Sequence, residues 1–600
     1  MKAFLLFGWT LWTRLRSVAG AGDSVGASKR PAKIRPSAEE SFYADICNGG
    51  KPARAPAIIK GNRIADFLTG FFGSHLPAPS NRTTLAHSRI GQTLKRLCLI
   101  TLLLGTPLCA TMPNAMVWEV RPGAGANTNS GAFATLTNNT TACTGGTDWT
   151  QQNAAQVTFN GSTVTATTAG VSATIVITGY TVLSTDVCNT LRVASGTLFT
   201  TGLYQIVSVN TGLNTWTLDR TATSGAASTM AGTMGGAMAT LVGAFADLTA
   251  SASIQPQFDC TIWYKSGTDT VTSGVSIPLT SGIVVHGYQT SRGDATGTRP
   301  LLTTATNSTN LVLGTASGVY STITFNNVGF SNTAGTRGAG FYAPTNATGR
   351  GLAIINCVLD GFSYGIEGDY NTDYVWGALT IYQTEIKNSV TDGIRNLGTT
   401  YIIGSYIHNN GATGATLNGS GPPGPTSLVV FGSIFSSNGT HGISSASTPV
   451  PTTLVAQNSV FYGNTQQGIS LGETNFMNVT LINNIFDGNT DYGILNSNAA
   501  SLDYGLGSFF RANNAFYNNG SGNYTGLPAN TTDITLSANP FVVAGSNFAL
   551  NSTAGGGAAL KAAGFPGILA GGVGTGYLDV GALQSQCAAS AGGGACAFVQ

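Results

Sequence analysis

Eight short strings decide how this chain folds: NNVGFSN (326–332), NCVLDGF (356–362), QTEIKNS (383–389), GSYIHNN (404–410), GSIFSSN (432–438), NSVFYGN (458–464), NNIFDGN (483–489) and NNAFYNN (513–519). Each is a polar lead-in, an apolar centre and a small polar turn. Their last apolar residues are Phe330, Leu359, Ile386, Ile407, Phe435, Phe461, Phe486 and Phe516, at steps of 29, 27, 21, 28, 26, 25 and 30 residues. A period in that range marks a solenoid, whose repeats bury their apolar faces only against one another. A second apolar segment follows in six of the repeats: Gly365-Ile366, Gly393-Ile394, Gly414-Ala415, Gly442-Ile443, Gly468-Ile469 and Gly493-Ile494. Short apolar pieces broken by Gly, Asn and Ser, with no helical period, read as two or three strands per repeat. Coils stacked about 4.8 Å apart pair each strand with its equivalents above and below, which is a parallel β-helix. Asn410, Asn438, Asn464, Asn489 and Asn519 stand three residues after the apolar marker. They are expected to form a structural ladder, because Asn tolerates a left-handed bend and stacked amides hydrogen-bond to one another.

These repeats resemble those of the right-handed parallel β-helix (pectate-lyase-like) superfamily over about residues 254–584. The resemblance implies an all-β chain, a right-handed parallel β-helix solenoid with a small N-terminal β module. That superfamily holds pectate lyases, polygalacturonases, alginate and chondroitin lyases, phage tailspikes and secreted bacterial surface proteins, so it leaves the activity open. It implies a polysaccharide or cell-surface glycan as partner, and a trimer if the chain is tailspike-like.

Only 9% of the 600 residues are charged and 80 are Gly, in keeping with a Gly, Ser, Thr and Asn-rich β protein. Residues 1–96 hold 15 of the 27 Lys and Arg and 5 of the 25 Asp and Glu, which leaves 12 − 20 = −8 for the rest. A mildly acidic body gives no reason to expect nucleic-acid binding. Lys95-Arg96, the apolar run Leu97 to Leu104 and the small residues up to Ala115 follow the order of a secretory signal peptide, too short for a transmembrane helix. Residues 91–115 are therefore read as that signal and 1–90 as an upstream extension or unstructured leader, which places the protein outside the cell or on its surface. Residues 116–250 read as an N-terminal cap, beginning WEVRPGAG, and a small antiparallel β module. Within it the stretch Ala226 to Ala239 reads as a loop or short helix. The β-helix takes 254–584, and 585–600 is a Gly and Ala-rich tail. Cys587 with Cys596 and Cys143 with Cys188 are possible disulfides in an oxidising compartment.

The densest acidic and aromatic cluster is DGFSYGIEGDYNTDYVW, 360–376. In an extended strand Glu367, Asp369, Asn371 and Asp373 share one face, a set of oxygen ligands suited to calcium. Tyr364, Tyr370, Tyr374 and Trp376 offer flat faces to sugar rings. Stacking predicts a second group: Asp360, Lys387 and His408 form one file, with Glu385 two residues before Lys387, and Glu367 with Arg395 forms another. The superfamily resemblance implies Lys387, Arg395 or His408 as the base of a β-elimination; surface ion pairing is the plainer reading. Asp392 in VTDGIR and His441 in GTHGIS resemble N-T-D-G and G-H-G segments of polygalacturonases and are candidate substrate contacts. Thr413 and Val390 depart from that pattern and leave one carboxyl where inverting hydrolysis uses two, roughly 6.5–9.5 Å apart. Two functions remain. One is a secreted or surface β-helix that binds polysaccharide or builds an extracellular or virion structure, with Tyr462, Tyr517, Ser470 and Asn496 among its contacts. The alternative is a lyase on a uronate polymer, assisted by calcium on Glu367, Asp369 and Asp373.

Overall fold

The computed structural model describes residues 116–583 except 132–153, 188, 251–259, 273, 278–281, 296, 305–309, 314–321, 333, 335–336, 344–350, 369–377, 396–397, 418–425, 446–451, 473–476, 498–507 and 566–578. All of these lie within the unit Pro107–Gln600. The leader, the signal peptide and the four paired cysteines proposed from the sequence lie outside the described residues.

Three parallel sheets form the body, with 11, 11 and 10 strands. The chain passes through them in turn ten times, from Cys260–Lys265, Thr268–Val271 and Val275–Ser276 in the first coil to Ser508–Ala512, Ala515–Tyr517 and Gly522–Thr525 in the tenth. Each apolar marker is an inward, buried residue of a second-sheet strand. Phe435, Phe461, Phe486 and Phe516 pile face to face, with centroids 5.4, 5.0 and 5.1 Å apart and ring planes 9–12° from parallel. The Gly-Ile pairs mark the starts of third-sheet strands. At Gly442 a Cβ would fall 2.6 Å from Gly468 O and 2.8 Å from a Phe461 ring carbon, so the glycine gives the stacked rings their room.

Two tight corners recur in the later coils. Between the first and second sheets one residue takes a left-handed backbone: Asn327, Asn356, Gln383, Gly404, Gly432, Asn458, Asn483 and Asn513. Such a conformation suits Gly and Asn. The next side chain turns inward as a file of Thr384, Ser405, Ser433, Ser459, Asn484 and Asn514, each accepting the backbone N–H of its counterpart one coil earlier at 3.0–3.2 Å. At the second corner the predicted Asn ladder is present. Asn410, Asn438, Asn464 and Asn489 each donate through Nδ2 to Oδ1 of the next Asn, at 3.0, 3.0, 2.9 and 2.8 Å. The left-handed residue there is the one before: Asn388, Asn409, Ser437, Gly463, Gly488 and Asn518. Bend and ladder are thus divided between two neighbours, because a side chain directed inward for stacking needs ordinary backbone angles.

Met116–Val120 adds a first strand beneath Cys260–Lys265. Its buried Glu119 accepts Arg121 Nε at 2.7 Å and is also bonded by the Tyr288 hydroxyl and by Arg292, which ties it to the second coil. The helix Leu241–Ala250 closes this end of the core, its Leu241 N–H capped by Asp269 at 2.7 Å. Between them a seven-stranded antiparallel sheet, from Val157–Asn160 to Thr223–Met234, packs around Trp216, Phe159 and Tyr204. The stretch read as a loop or short helix is mostly the strand Thr223–Met234, second in the order of that sheet, between Val157–Asn160 and Thr190–Phe199. Its glycines serve close packing: a Cβ on Gly232 would meet Arg192 O at 2.0 Å.

After the tenth coil Ile534–Thr535 caps the second sheet, and the chain returns along that sheet's outer face with the hairpin Phe541–Val543 and Asn547–Leu550. Phe541, Phe548, Leu550 and Leu560 pack on the outward Ile434, Val460, Ile485 and Ala515. Corner amides hold this strap: Asn458 Nδ2 donates to Asp579 O, Asn483 Nδ2 to Phe565 O and Asn513 Nδ2 to Ala563 O, at 3.2, 3.3 and 2.9 Å.

Candidate functional site

Alternation along the short strands sends one residue of each second-sheet triplet inward and two outward. Asp360, Lys387 and His408 are Cα partners in one outward file, as the stacking argument requires. Glu385 couples two of them, since its Oε1 accepts Lys387 Nζ at 3.0 Å and lies 2.9 Å from His408 Nε2. The hydrogen bond with His408 and then the Lys387 ammonium hold the Glu385 carboxyl down at about 2, against the opposing effect of its partial burial. His408 is buried and stacks on Tyr406 with ring centroids 3.9 Å apart, and Tyr406 meets strap residue Phe548 at 6.2 Å. Asp360 accepts Asn388 Nδ2 at 2.7 Å.

Arg395 stands on a different face. It pairs with Glu367 in the third sheet, and its Nη1 donates to the Tyr364 hydroxyl at 3.0 Å with the guanidinium 5.4 Å from that ring. The three candidate bases are therefore divided between two faces, Lys387 with His408 and Arg395 apart from both. Asp392, in the corner before the third sheet, accepts Thr413 N and Thr416 Oγ1, both at 3.0 Å. Burial raises its carboxyl above the usual range, opposed by those hydrogen bonds and by Arg395. His441 lies in the same corner file two coils on, where burial lowers its pKa and Gln467 and Asp491 oppose that. Asp392 and His441 do not form a pair.

The corner file Tyr364, Asp392, Thr413, His441, Gln467 and Tyr492 runs beside the outward third-sheet file Tyr342, Glu367, Arg395, Thr416, Ser444 and Ser470. Asp392 to Thr416 and Arg395 to Tyr364 are bonds between the two. Thr413 and Thr440 hydroxyls meet at 2.9 Å, and Gln467 Nε2 donates to Asp491. The result is a strip of hydroxyl, amide, carboxylate and guanidinium groups along the axis. Asp369, Tyr370, Asn371, Asp373, Tyr374 and Trp376 lie outside the described residues, so of the calcium set only Glu367 is described. Among the described residues no three His, Cys, Asp or Glu side chains are grouped as metal ligands. Tyr462 and Tyr517 pack under the strap, and Asn496 is buried with Nδ2 on Gly526 O at 3.0 Å; these three serve packing, and Ser470 alone of that set stays on the strip. The sequence reading passed over Thr416, Gln467 and Tyr492, although two of them occupy the position before a Gly-Ile pair.

Three stacked parallel sheets traversed in a fixed order define the class of protein, a parallel β-helix, and the family match makes it a right-handed one. Residues 339–519 match the family described as right handed beta helix region. No curated protein matches the sequence. Similar solved structures include the A-module of mannuronan C-5 epimerase AlgE6 from Azotobacter vinelandii, at 14% identity, 49% of this chain, 93% of that chain and TM-score 0.30. The periplasmic alginate epimerase AlgG, solved as a mutant, is similar at 15%, 46%, 75% and 0.23. A mutant catalytic domain of a GH87 α-1,3-glucanase in complex with nigerose is similar at 12%, 62%, 89% and 0.25. No helix among the described residues is long and apolar enough to cross a membrane.

Proposed function

We propose that this is an exported or surface β-helix protein that binds a polysaccharide chain laid along the solenoid axis, on the strip formed by the third sheet and the corner before it. One observation carries the reading: two adjacent files of hydrogen-bonding side chains continue from Tyr342 to Tyr492, bonded across at Asp392 to Thr416 and Arg395 to Tyr364. A rung repeat of about 4.8 Å meets a linear glycan with one polar group per coil in each file. Tyr364 supplies an aromatic body with a polar edge, which suits a sugar ring. Export is supported by the basic, apolar and small-residue order of 95–115. Lys387 and Glu385 are read as a partly exposed ion pair bordering the strap, with the buried His408 hydrogen-bonded to Glu385 beside it.

The test is affinity electrophoresis of the full chain through gels carrying a panel of polysaccharides. Retention by at least one of them should fall about ten-fold or more in Tyr364→Ala with Thr416→Val, and should be unchanged in Lys387→Ala. Equal retention of both variants by every gel would reject the strip as the binding face.

A further inference from the structure

We propose that the polysaccharide taken by this strip is uncharged, a neutral hexose polymer and not a uronate or sulfated one; the proposal rests on the binding reading above and narrows its ligand class. The charges on the strip carry the argument. Over coils four to nine the described residues of the corner and third-sheet files and their flanks carry three carboxylates, Glu367, Asp392 and Asp491, against one guanidinium, Arg395. That guanidinium is already directed to the Tyr364 hydroxyl, with Glu367 as its Cα partner and Asp392 close enough to feel its charge. Arg337, in the third-coil corner, turns the other way, donating to Ala334 O and Asn388 O. Lys387 lies on the second sheet, held by Glu385. An anionic glycan along the files would bring its carboxylates beside Glu367, Asp392 and Asp491 with no uncommitted cation facing them among the described residues, and like charges at that range repel.

Every other group on the strip suits hydroxyls. Carboxylates accept hydrogen bonds strongly, and Thr413, Thr416, Thr440, Ser444 and Ser470 both donate and accept. His441, whose pKa burial lowers, and Gln467 add hydrogen-bonding partners two and three coils beyond Asp392. A ligand of hydroxyl groups satisfies these without placing a second negative charge in the strip.

The experiment is calorimetric titration of the full chain with size-matched neutral gluco-oligosaccharides, oligogalacturonates, oligomannuronates and chitosan oligomers, at low and at physiological salt. The expected result is a neutral oligomer bound at least about ten-fold more tightly than either uronate at low salt, with the gap narrowing as salt screens the carboxylates. Glu367→Gln with Asp491→Asn should raise uronate affinity by a few-fold or more. Tighter binding of a uronate, lost in Arg395→Gln, would overturn this inference and leave the binding reading standing. Preference for the cationic chitosan oligomer over the neutral one would also overturn it. Absence of binding by every oligomer, together with equal electrophoretic retention of wild type and strip variants, would reject the binding reading itself.

Discussion

Asp487→Asn should stabilise the strap at neutral and alkaline pH and do little in acid. Asp487 is the outward end of the strand Ile485–Asp487, between its Cα partners Tyr462 and Tyr517, and is only 3% exposed beneath the strap. No hydrogen bond to its carboxylate is present among the described residues, and burial alone pushes its pKa up to about 7. Tyr462, raised by its own burial and by the Asp487 charge, stays neutral over the range concerned. An unfolded Asp titrates near 3.9, so the folded state binds this proton more firmly. The stabilising protonation is therefore complete below about pH 4, is lost as pH rises through 7, and is level beyond. About three pH units at 1.36 kcal/mol each give an upper bound of about 4 kcal/mol at pH 8 and less than about 1 kcal/mol at pH 4. Asn has the same shape and no charge to desolvate. Because solenoids open region by region, the readout should be local: hydrogen exchange of the Phe541–Val543 and Asn547–Leu550 amides, corrected for intrinsic rates. Wild-type protection should decline between pH 5 and 8 while the variant's stays flat. Parallel profiles, or an Asp487 carboxyl that titrates near 4 by NMR, would refute the argument.

Phe461→Ala should cost about 3–5 kcal/mol in denaturant unfolding, since it opens the middle of the Phe435 to Phe516 stack, and Phe461→Leu should cost less. Asn464→Ala removes the acceptor of both Asn438 N and Asn438 Nδ2, so a loss of about 2–4 kcal/mol is expected in the same assay, with Val390→Thr at an exposed corner near zero. His408→Phe should return the Glu385 carboxyl towards the usual range further than Lys387→Met does, read by carboxyl NMR, because the His408 hydrogen bond is the larger cause of its low value. The reverse order would show that the ammonium dominates.

Much of this molecule is legible in the chain because a solenoid turns sequence period into vertical neighbours. The marker spacing alone places Phe461 over Phe435 and Lys387 beside Asp360 and His408, and the Asn three residues on predicts the amide ladder. The corner file from Thr384 to Asn514 was equally available, two residues before each marker, but its polar letters vary where the Asn ladder repeats one. Tertiary structure decided the rest. Whether an outward residue meets water or protein depends on where the chain after the last coil travels, and no period encodes that path. Only the returning strap covers the outward file of Tyr462, Asp487 and Tyr517, leaving the tyrosines half-buried and Asp487 buried, and with that it sets the affinity of Asp487 for its proton. Likewise the residue before a Gly-Ile pair acquires meaning from the coil above it: Asp392 becomes part of a strip because Thr413 and Thr416 arrive within bonding distance one turn later. Local spacing sets which residues share a file; the long-range course of the backbone sets what each file faces.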